Sequence, residues 1–431
     1  MKKGPFFLLT YFLLLSVAVQ SQTSRPKIFF LSQIVDSAMS NYPLSRQHAL
    51  LANSTELAID NLSATYWPIL QINGQVSYQS DVTQLGISLP GFSTPELSKD
   101  WYKLNLDLTQ MIYDGGVVGE AKALEANNLD IRKSNIKEQE NSYLEMISKL
   151  YFRTLLLRQQ ENVLNSMIRG LDAIIFDLRS AVEHGSILPS ELKSLQAEQL
   201  QLKQQKIEII AGIQSTLIML SEYTKMDISL ADSLAIPLID YFPTDFVNER
   251  PEWLSMTKQQ EKVSIQKQLI HAKRKPVILA FAQAGYGRPG YNMLDDTFDD
   301  YYMVGLRFNY KIWDWNTASR EKQQLDLQSE IVGTNKEYFD TKIRAAYKSQ
   351  LSEIQKMSQL LENDHQIVSL QQEVTASSKS ALLAGSLTSA AYLQEMEKLV
   401  RAHMMLETNR IKLINAKTEL MFITGKISFY E

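Results

Sequence analysis

One glycine pattern in the sequence is of the kind that cradles a phosphate group. Gly285, Gly287 and Gly290 fit the G-x-G-x-x-G spacing of dinucleotide-binding sites. In such a site the glycines open a helix whose N-terminus binds the pyrophosphate. Here Pro289 lies inside the pattern, and the segment that follows it, Tyr-Asn-Met-Leu-Asp-Asp at 291–296, is typical of a loop. The pattern therefore predicts a loop, and no cofactor is expected.

Two Ser-x-x-Lys patterns have the spacing of a serine nucleophile and its lysine. They are Ser134 with Lys137 and Ser255 with Lys258. Both lie in segments of helical periodicity, and the companion motifs that such enzymes use do not occur in the sequence. The sequence therefore predicts a protein that is not an enzyme.

Metal-binding residues are few and scattered. The five histidines, at positions 48, 184, 271, 365 and 403, have no ligand spacing. Met404-Met405 could suit a soft metal, but helix packing explains the pair better. The chain has no cysteine, which excludes disulfides, thiolate metal sites, a cysteine nucleophile and a lipid-anchored N-terminus. With 44 basic and 48 acidic residues the net charge is −4, so nothing indicates a nucleic-acid partner.

The N-terminus has the pattern of an export signal. Lys2 and Lys3 precede an apolar run in residues 6–19, which is short for a spanning helix and typical of a signal peptide. We assign the signal peptide to residues 1–22, with an uncleaved anchor as the alternative. No later run approaches the length of a spanning helix. If the exported chain crosses a membrane, it must therefore do so with strands.

The elements that carry these residues occur twice. Pro43 and Pro251 lie 208 residues apart, as do Pro68 and Pro276. Farther along, three matches share an offset of 200 residues: 112–114 with 312–314, 185–186 with 385–386, and 224 with 424. One deletion of eight residues reconciles both offsets, so the chain is predicted to be an internal duplication. The first repeat spans residues 23–226, a linker spans 227–244, and the second repeat spans 245–431.

Each repeat is predicted to contain the same elements in the same order. A helix of about 35 residues, 31–64 or 245–275, precedes a strand pair. A helical stretch follows, 114–185 or 314–385, which would span on the order of 105 Å. A turn at Gly185 or Gly385 leads into a last helix that ends near 224 or 424. Apolar residues in 144–182 recur about every 3.5 positions, which is the seam of a coiled coil.

The strands alternate between apolar and polar residues, and the apolar set is predicted to face lipid. These residues are Leu70, Ile72, Val76, Leu104, Leu106, Leu108, Val304, Leu306 and Phe308. The polar set is predicted to face a lumen: Gln71, Asn73, Gln75, Asn105, Asp107, Arg307 and Asn309. A soluble sheet packed on helices would also alternate. Strands of about ten residues with aromatic ends and a polar second face favour a membrane barrel.

Four strands cannot close a barrel, so the membrane interpretation requires oligomers. Two chains would give eight strands, whose side chains nearly fill the interior, whereas three would give twelve and leave a lumen. An open strand edge is not tolerated in lipid.

At this point the sequence resembles the TolC-type outer-membrane efflux family, also called outer membrane factors. The resemblance covers nearly the whole mature chain. It rests on the duplicated unit, on Arg250-Pro-Glu, on Pro68 and Pro276 before the strands, and on three motifs. The motifs are LTQMIYDGG at 108–116, GSILPSE at 185–191 and GSLTSAAY at 385–392. The resemblance implies a homotrimer with a 12-stranded barrel and a periplasmic helical barrel. It also implies docking to a periplasmic adaptor and an inner-membrane pump.

In that family the helix turns form a periplasmic tip and gate. Carried over by position, the expected tip residues are Gly185, Ser190, Glu191, Leu382, Gly385, Leu387, Ala391, Leu393 and Gln394. Ala391 and Gln394 fall where well-known members have acidic residues, which leaves Glu191, Glu395 and Glu397 as candidates for charge.

The predicted fold class is an α+β membrane protein with a long helical barrel and a transmembrane β-barrel of four strands per chain. The predicted function is a passive exit duct through the outer membrane of a Gram-negative bacterium, serving tripartite efflux or type I secretion. The alternative is a periplasmic coiled-coil adaptor or structural protein. That protein would need no aromatic-ended strands.

Overall fold

A computed structural model describes residues 26–83, 97–239 and 245–427. The predicted signal peptide and the end of the predicted linker lie outside the described residues. The first half contains β1 (Ile28–Phe29), α1 (Leu31–Ser40), α2 (Gln47–Ser63), β2 (Ile69–Tyr78), β3 (Asp100–Tyr113), α3 (Val117–Glu183) and α4 (Pro189–Thr224). The second half contains β4 (Ser233–Leu234), α5 (Pro251–Ala272), β5 (Val277–Arg288), β6 (Asp299–Asn309), α6 (Thr317–Leu383) and α7 (Ser389–Thr424).

The long helices of the two halves have equal lengths. Helices α3 and α6 have 67 residues each, and α4 and α7 have 36 each. A helix of this length extends about 100 Å. Each long helix and the helix after it form a hairpin, so the molecule is a bundle of rods with a small sheet at one end.

The single helix predicted for residues 31–64 is wrong, because proline interrupts it. Helix α1 ends at Ser40, and a short 3-10 helix occupies Pro43–Arg46 before α2 begins. Pro43 has no N–H to donate, and its ring restricts the residue before it to extended backbone, which Tyr42 adopts. Likewise α5 begins only at Pro251 and not at residue 245, since proline suits the first position of a helix.

The larger sheet has four antiparallel strands in the order β2-β3-β5-β6. The two hairpins of the halves therefore pair through β3 and β5, and β2 and β6 form the edges. Cross-strand rows run through all four strands, with Ile72 opposite Leu106, Leu106 opposite Ala284 and Ala284 opposite Tyr302, and the register shifts only near the helical end of β3, between Met111 and Tyr113.

The helices form a wall in which α3 is a central member. In the half of α3 nearer the sheet, α2 packs on it, and His48 contacts Glu140 at 3.1 Å. In the half farther from the sheet, α4 packs on α3 instead, and Gln199 contacts Asp172. Helix α5 lies between α3 and α6. The Ser255 hydroxyl donates to Asn135 at 3.0 Å, and Lys336 Nζ donates to Thr257 at 2.9 Å.

The predicted linker is docked rather than free. Strand β4 pairs in parallel with β1, and the Tyr151 hydroxyl lies 3.1 Å from the carbonyl oxygen of Phe29 and 2.5 Å from that of Ala235. Tyr151 is fully buried in an apolar cluster that also contains Ile34, Leu155 and Ile213. This cluster lies near the middle of the wall and joins α1, α3, α4 and the linker.

Candidate functional site

The sheet separates the two predicted sets of strand residues completely. The cross-strand row Asn73, Asn105, Gly285, Tyr301 lies on one face, and the adjacent row Ile72, Leu106, Ala284, Tyr302 lies on the other. Directly opposed residues share a face and neighbouring residues alternate. All nine residues predicted to face lipid therefore lie on one face, and all seven predicted to face a lumen lie on the other.

Within the part of the chain that the structure describes, nothing covers the apolar face. Its nine predicted residues are all exposed, and Ile72 and Leu306 reach 74% and 73%. Apolar patches of this extent mark a surface that contacts lipid or a partner. Exposed aromatics flank the band. Trp67, Trp313 and Trp315 lie at the helical end, and Tyr78, Tyr102 and Tyr286 lie toward the other end.

Side-chain hydrogen bonds on the polar face involve residues of all four strands. The Asp107 carboxylate accepts from Asn73 Nδ2 at 2.5 Å and from Gln283 Nε2 at 2.6 Å. The Tyr301 hydroxyl donates to Asn105 Oδ1. Arg307 stacks on the Phe281 ring with its guanidinium carbon 5.4 Å from the ring centroid. The centre of this face is therefore polar and internally hydrogen-bonded, while Leu279 and Phe281 lie on it toward the helical end.

In each half, an aspartate accepts backbone hydrogen bonds at the turn between the strand and the long helix. Asp114 accepts from the backbone N–H of Val118 at 2.6 Å and of Gly116 at 2.8 Å, and Asp314 accepts from Ala318 N–H at 3.3 Å. Burial opposes ionisation of Asp114, but these bonds and one from the Tyr66 hydroxyl outweigh it and hold the pKa of the carboxyl below its usual range. The same bond raises the pKa of Tyr66 to about 12.

The backbone after each aspartate is left-handed for two residues. Gly115 and Gly116 have φ values of 77° and 94°, and the residues at the same places in the second half, Trp315 and Asn316, have 52° and 60°. A β-carbon on Gly115 would lie 2.7 Å from the Ala272 carbonyl oxygen, so α5 approaches the first junction too closely for a side chain. The second junction accepts a tryptophan, which is 77% exposed.

At the far end of the rods, both predicted turns occur where expected. Gly185 and Gly385 each have φ of 73°. Ser186 N–H donates to Ala181 at 2.9 Å, and Ser386 N–H donates to Ala381 at 3.0 Å. This pattern is the Schellman cap, which favours glycine for its left-handed residue. We call this end of the molecule, residues 181–198 and 381–398, the tip.

A carboxylate joins the two hairpins at the tip. Glu191 Oε2 accepts a hydrogen bond from the backbone N–H of Ser389 at 2.6 Å. Ser389 is the first residue of α7 and is fully buried. The Thr388 side chain caps the same helix by accepting from Ala391 N–H at 3.3 Å. Glu191 is thus bound within the chain, at the positive end of a helix.

The other predicted tip residues divide between core and surface. Leu382 is 1% exposed and belongs to an apolar cluster with Leu178, Leu195, Tyr392 and Met396, against which Leu387 and Leu393 pack. Ser190 and Gln394 are exposed, and Ala391 is half-buried. The three leucines therefore join the hairpins of one chain, and burial raises the pKa of the Tyr392 hydroxyl to about 12.

Two like charges face each other beside this cluster. Burial, followed by the charge of Glu397, raises the pKa of Glu198 above its usual value. Glu198 is on α4 and Glu397 on α7, and Glu397 also pairs with Arg401 at 2.9 Å. The hairpins are therefore joined by apolar packing and the Glu191 bond, and opposed by this repulsion.

The glycine pattern and the two Ser-x-x-Lys patterns have structural roles. Gly285 and Gly287 lie in β5, and β6 rather than a helix follows the loop. The Ser255 hydroxyl contacts Asn135, while Lys258 is shared by Asp130 at 3.3 Å and Glu261 at 2.9 Å. The Ser134 hydroxyl donates to the carbonyl oxygen of Asp130 at 3.0 Å inside its own helix.

Three residues important to these surfaces were not predicted from the sequence. Ser389 binds Glu191 through its backbone, so its side-chain type gave no signal. Tyr392 is the largest side chain of the tip cluster contributed by α7, and only its place in the helical seam indicated burial. Tyr291 lies in a loop yet contacts Tyr301 on the polar face, with 4.7 Å between ring centroids.

Within the described ranges, no helix is both long and apolar enough to cross a bilayer. No protein-family model matches the chain, and no curated protein is detectably similar to it in sequence.

Solved structures, in contrast, match almost the whole chain. The outer membrane protein VceC from Vibrio cholerae aligns over 92% of this chain and 96% of its own, with a TM-score of 0.70 and 12% identity. The outer-membrane channel OprN aligns over 92% and 90%, with a TM-score of 0.72 and 10% identity. The Campylobacter jejuni outer membrane channel CmeC aligns over 93% and 87%, with a TM-score of 0.68 and 14% identity.

These structures define the class of fold. The chain has the α+β fold of the outer-membrane channel proteins, with long helical hairpins below a four-stranded sheet. The resemblance to TolC-type channels that the sequence indicates is confirmed at the level of the fold.

Proposed function

We propose that the protein is one subunit of a trimeric exit duct in the outer membrane of a Gram-negative bacterium. The duct would be a passive channel from periplasm to exterior, in tripartite efflux or type I secretion. The single observation that carries this proposal is the sheet, which exposes all nine predicted apolar residues on one face and carries hydrogen-bonded polar side chains at the centre of the other. That combination suits a wall between lipid and water.

The open edges of the sheet support three copies. Strands β2 and β6 have no strand partner on their outer sides among the described residues. Unpaired backbone groups are not tolerated in hydrocarbon, so the edges must pair with other copies. Twelve strands from three chains would enclose water along the polar face, whereas eight would fill with side chains.

The edge helices carry apolar residues on matching sides. Leu50 and Leu57 of α2 are exposed and lie about 180° from the His48 side that contacts α3. On α6, Ile331 and Tyr338 are exposed and lie about 140° and 160° from the Lys336 side that contacts α5. In a closed ring, α2 of one copy would face α6 of the next.

The levels of these residues along the rods also agree. His48 of α2 contacts Glu140 of α3, and the two helices run in opposite directions. Leu57, nine residues after His48, is therefore level with Ile131, nine residues before Glu140. Ile131 is 17 residues beyond Asp114. Ile331 is 17 residues beyond Asp314. Ser255 of α5 contacts Asn135 of α3, and Thr257 of α5 contacts Lys336 of α6. Residues that are equally far along the chain from Asp114 and from Asp314 therefore lie at about the same height on α3 and α6. Leu57 would therefore pack near Ile331 of a neighbouring copy.

The remaining parts of the proposal rest on the same fold. The equal helix lengths and the identical Schellman turns support an internal duplication of residues 23–226 and 245–431 around a linker at 227–244. The tip would dock a periplasmic adaptor that connects to an inner-membrane pump. No catalytic step is assigned to the chain.

Native mass measurement in detergent tests the duct directly, with three copies as the expected result. Leu57→Glu and Ile331→Lys should each weaken the trimer, and the double variant should recover it because the opposite charges meet. A matched control is Leu254→Glu, since Leu254 is exposed on α5 inside the wall rather than at its edge. A stable monomer that needs no detergent would favour the periplasmic adaptor instead.

A further inference from the structure

The loop between β5 and β6 returns onto the polar face of the sheet. Tyr291 is three residues past the end of β5, yet its hydroxyl donates to Gln283 Oε1 at 3.1 Å. Gln283 lies five residues inside the strand, which is about 17 Å along β5. The loop must therefore fold back along this face rather than extend the hairpin.

A second contact fixes the ring of Tyr291. Its centroid is 4.7 Å from that of Tyr301, with the planes inclined at 59°. The Tyr301 ring in turn packs against Gly285, where a β-carbon would approach the ring to 2.5 Å, and its hydroxyl contacts Asn105. Glycine at 285 thus makes room for Tyr301, and Tyr301 supports Tyr291.

The Tyr291 contacts continue into the polar network. Gln283, which accepts from Tyr291, donates to Asp107, and Asp107 also accepts from Asn73. The loop is therefore connected to the edge strand β2 through three side chains. Even so, 51% of Tyr291 is exposed, so the ring projects from the face into open space.

We propose that Tyr291 selects solutes by size at the outer end of the duct. This inference rests on the proposed function, since only a closed barrel turns the polar face into a lumen. Three copies of the Tyr291 ring would then project inward at one level, that of Gln283 and Asp107 inside the barrel, far from the tip. They form a collar that is separate from the tip and limits what leaves or enters at the external side.

The collar is tested by polymer exclusion on single channels in planar bilayers. Polyethylene glycols of graded size are added to one side, and the largest polymer that still lowers the conductance marks the entry width on that side. We expect Tyr291→Ala to shift the external cut-off to larger polymers and to leave the cut-off at the tip side unchanged. Tyr291→Phe, which loses only the bond to Gln283, should give a smaller shift in the same direction.

Tyr302→Phe is the matched control, because Tyr302 is adjacent to Tyr301 but lies on the apolar face. It should leave both cut-offs unchanged. An external cut-off in Tyr291→Ala equal to that of the unaltered chain would overturn the collar, as would an equal shift in Tyr302→Phe. If Tyr291→Ala forms no channels, an unchanged cut-off in Tyr291→Phe overturns it. Absence of channels from the unaltered chain would instead contradict the proposed duct.

A thiol-labelling measurement examines the same point independently. The chain has no cysteine, so Tyr291→Cys would carry the only thiol. A charged thiol reagent added externally should lower the conductance of Tyr291→Cys and leave that of Tyr302→Cys unchanged. Equal responses of the two variants would place residue 291 outside the lumen and overturn the proposal.

Discussion

The Glu191 carboxylate of the first hairpin lies 2.6 Å from the backbone nitrogen of Ser389, the first residue of α7 in the second hairpin. The reverse bond cannot form, because the corresponding residues 200 positions away are Ala391 and Pro189. Alanine has no acceptor and proline has no N–H. The polar link therefore runs only from the Glu191 side chain of the first hairpin to the backbone of the second.

Glu191→Ala should loosen the tip. The bond combines a carboxylate acceptor with a helix N-terminus, so its loss should cost about 1 kcal/mol. We expect higher single-channel conductance and faster proteolysis at the turns. Ser190→Ala is the control, since Ser190 is the exposed neighbour. Equal behaviour of the two variants would show that Glu191 does not hold the tip.

Block of the channel by multivalent cations should be weak. Ala391 and Gln394 are uncharged, and the Glu191 carboxylate is occupied by Ser389. Few free acidic groups would then converge on the axis. Single-channel recording with a trivalent cation measures this, and Glu191→Gln should weaken the block further. Strong block that persists in Glu191→Gln would reveal other acidic groups at the constriction.

Glu198→Gln should stabilise the tip near neutral pH. The folded pKa of Glu198 lies above its unfolded value, because burial and the Glu397 charge disfavour the carboxylate. The penalty is therefore present at pH 7 and relaxes as the pH falls through the raised value toward the unfolded one. Thermal unfolding of both chains at several pH values should show a gain that disappears in acid. A gain independent of pH would indicate another cause.

Leu106→Arg should reduce the assembled trimer. The residue is in the middle of the apolar face, and arginine near a bilayer midplane costs about 2–4 kcal/mol. Gln71→Arg on the polar face, where the directly opposed residue is Asp107, should assemble normally. Heat-resistant trimer on a semi-native gel gives the readout, and equal loss in both variants would contradict the assignment of faces.

Gly115→Ala should destabilise the chain more than Gly116→Ala. Both positions have positive φ, which costs alanine about 1–2 kcal/mol. Only at Gly115 would the added carbon also meet the Ala272 carbonyl, whereas Gly116 has open space. Unfolding midpoints in detergent should rank the two. The reverse order would mean that α5 does not approach the first junction as closely as described.

The sequence predicted the features that local chemistry determines. Gly185 and Gly385 marked both turns because a left-handed cap favours glycine. Alternation in 70–79 and 102–109 placed each strand residue on a face, since the side-chain period of a strand is two. These signals involve neighbours in the chain, so no tertiary information was needed.

Features that depend on distant partners were not predicted. The Glu191–Ser389 bond joins a side chain to a backbone group 198 positions away, and the return of Tyr291 depends on the loop path. In each case a contact, rather than a residue type, carries the role.

The docking of the linker has a consequence for the order of folding. Residues 28–29 pair with 233–234, and the Tyr151 hydroxyl contacts the backbone of both segments. A chain that emerges N-terminus first must therefore hold the apolar side of α1 uncovered until about two hundred further residues have appeared. During that interval Ile34 and Val35 are available to chaperones and to other nascent chains. The slow, aggregation-prone stage of biogenesis should thus end only when the linker arrives.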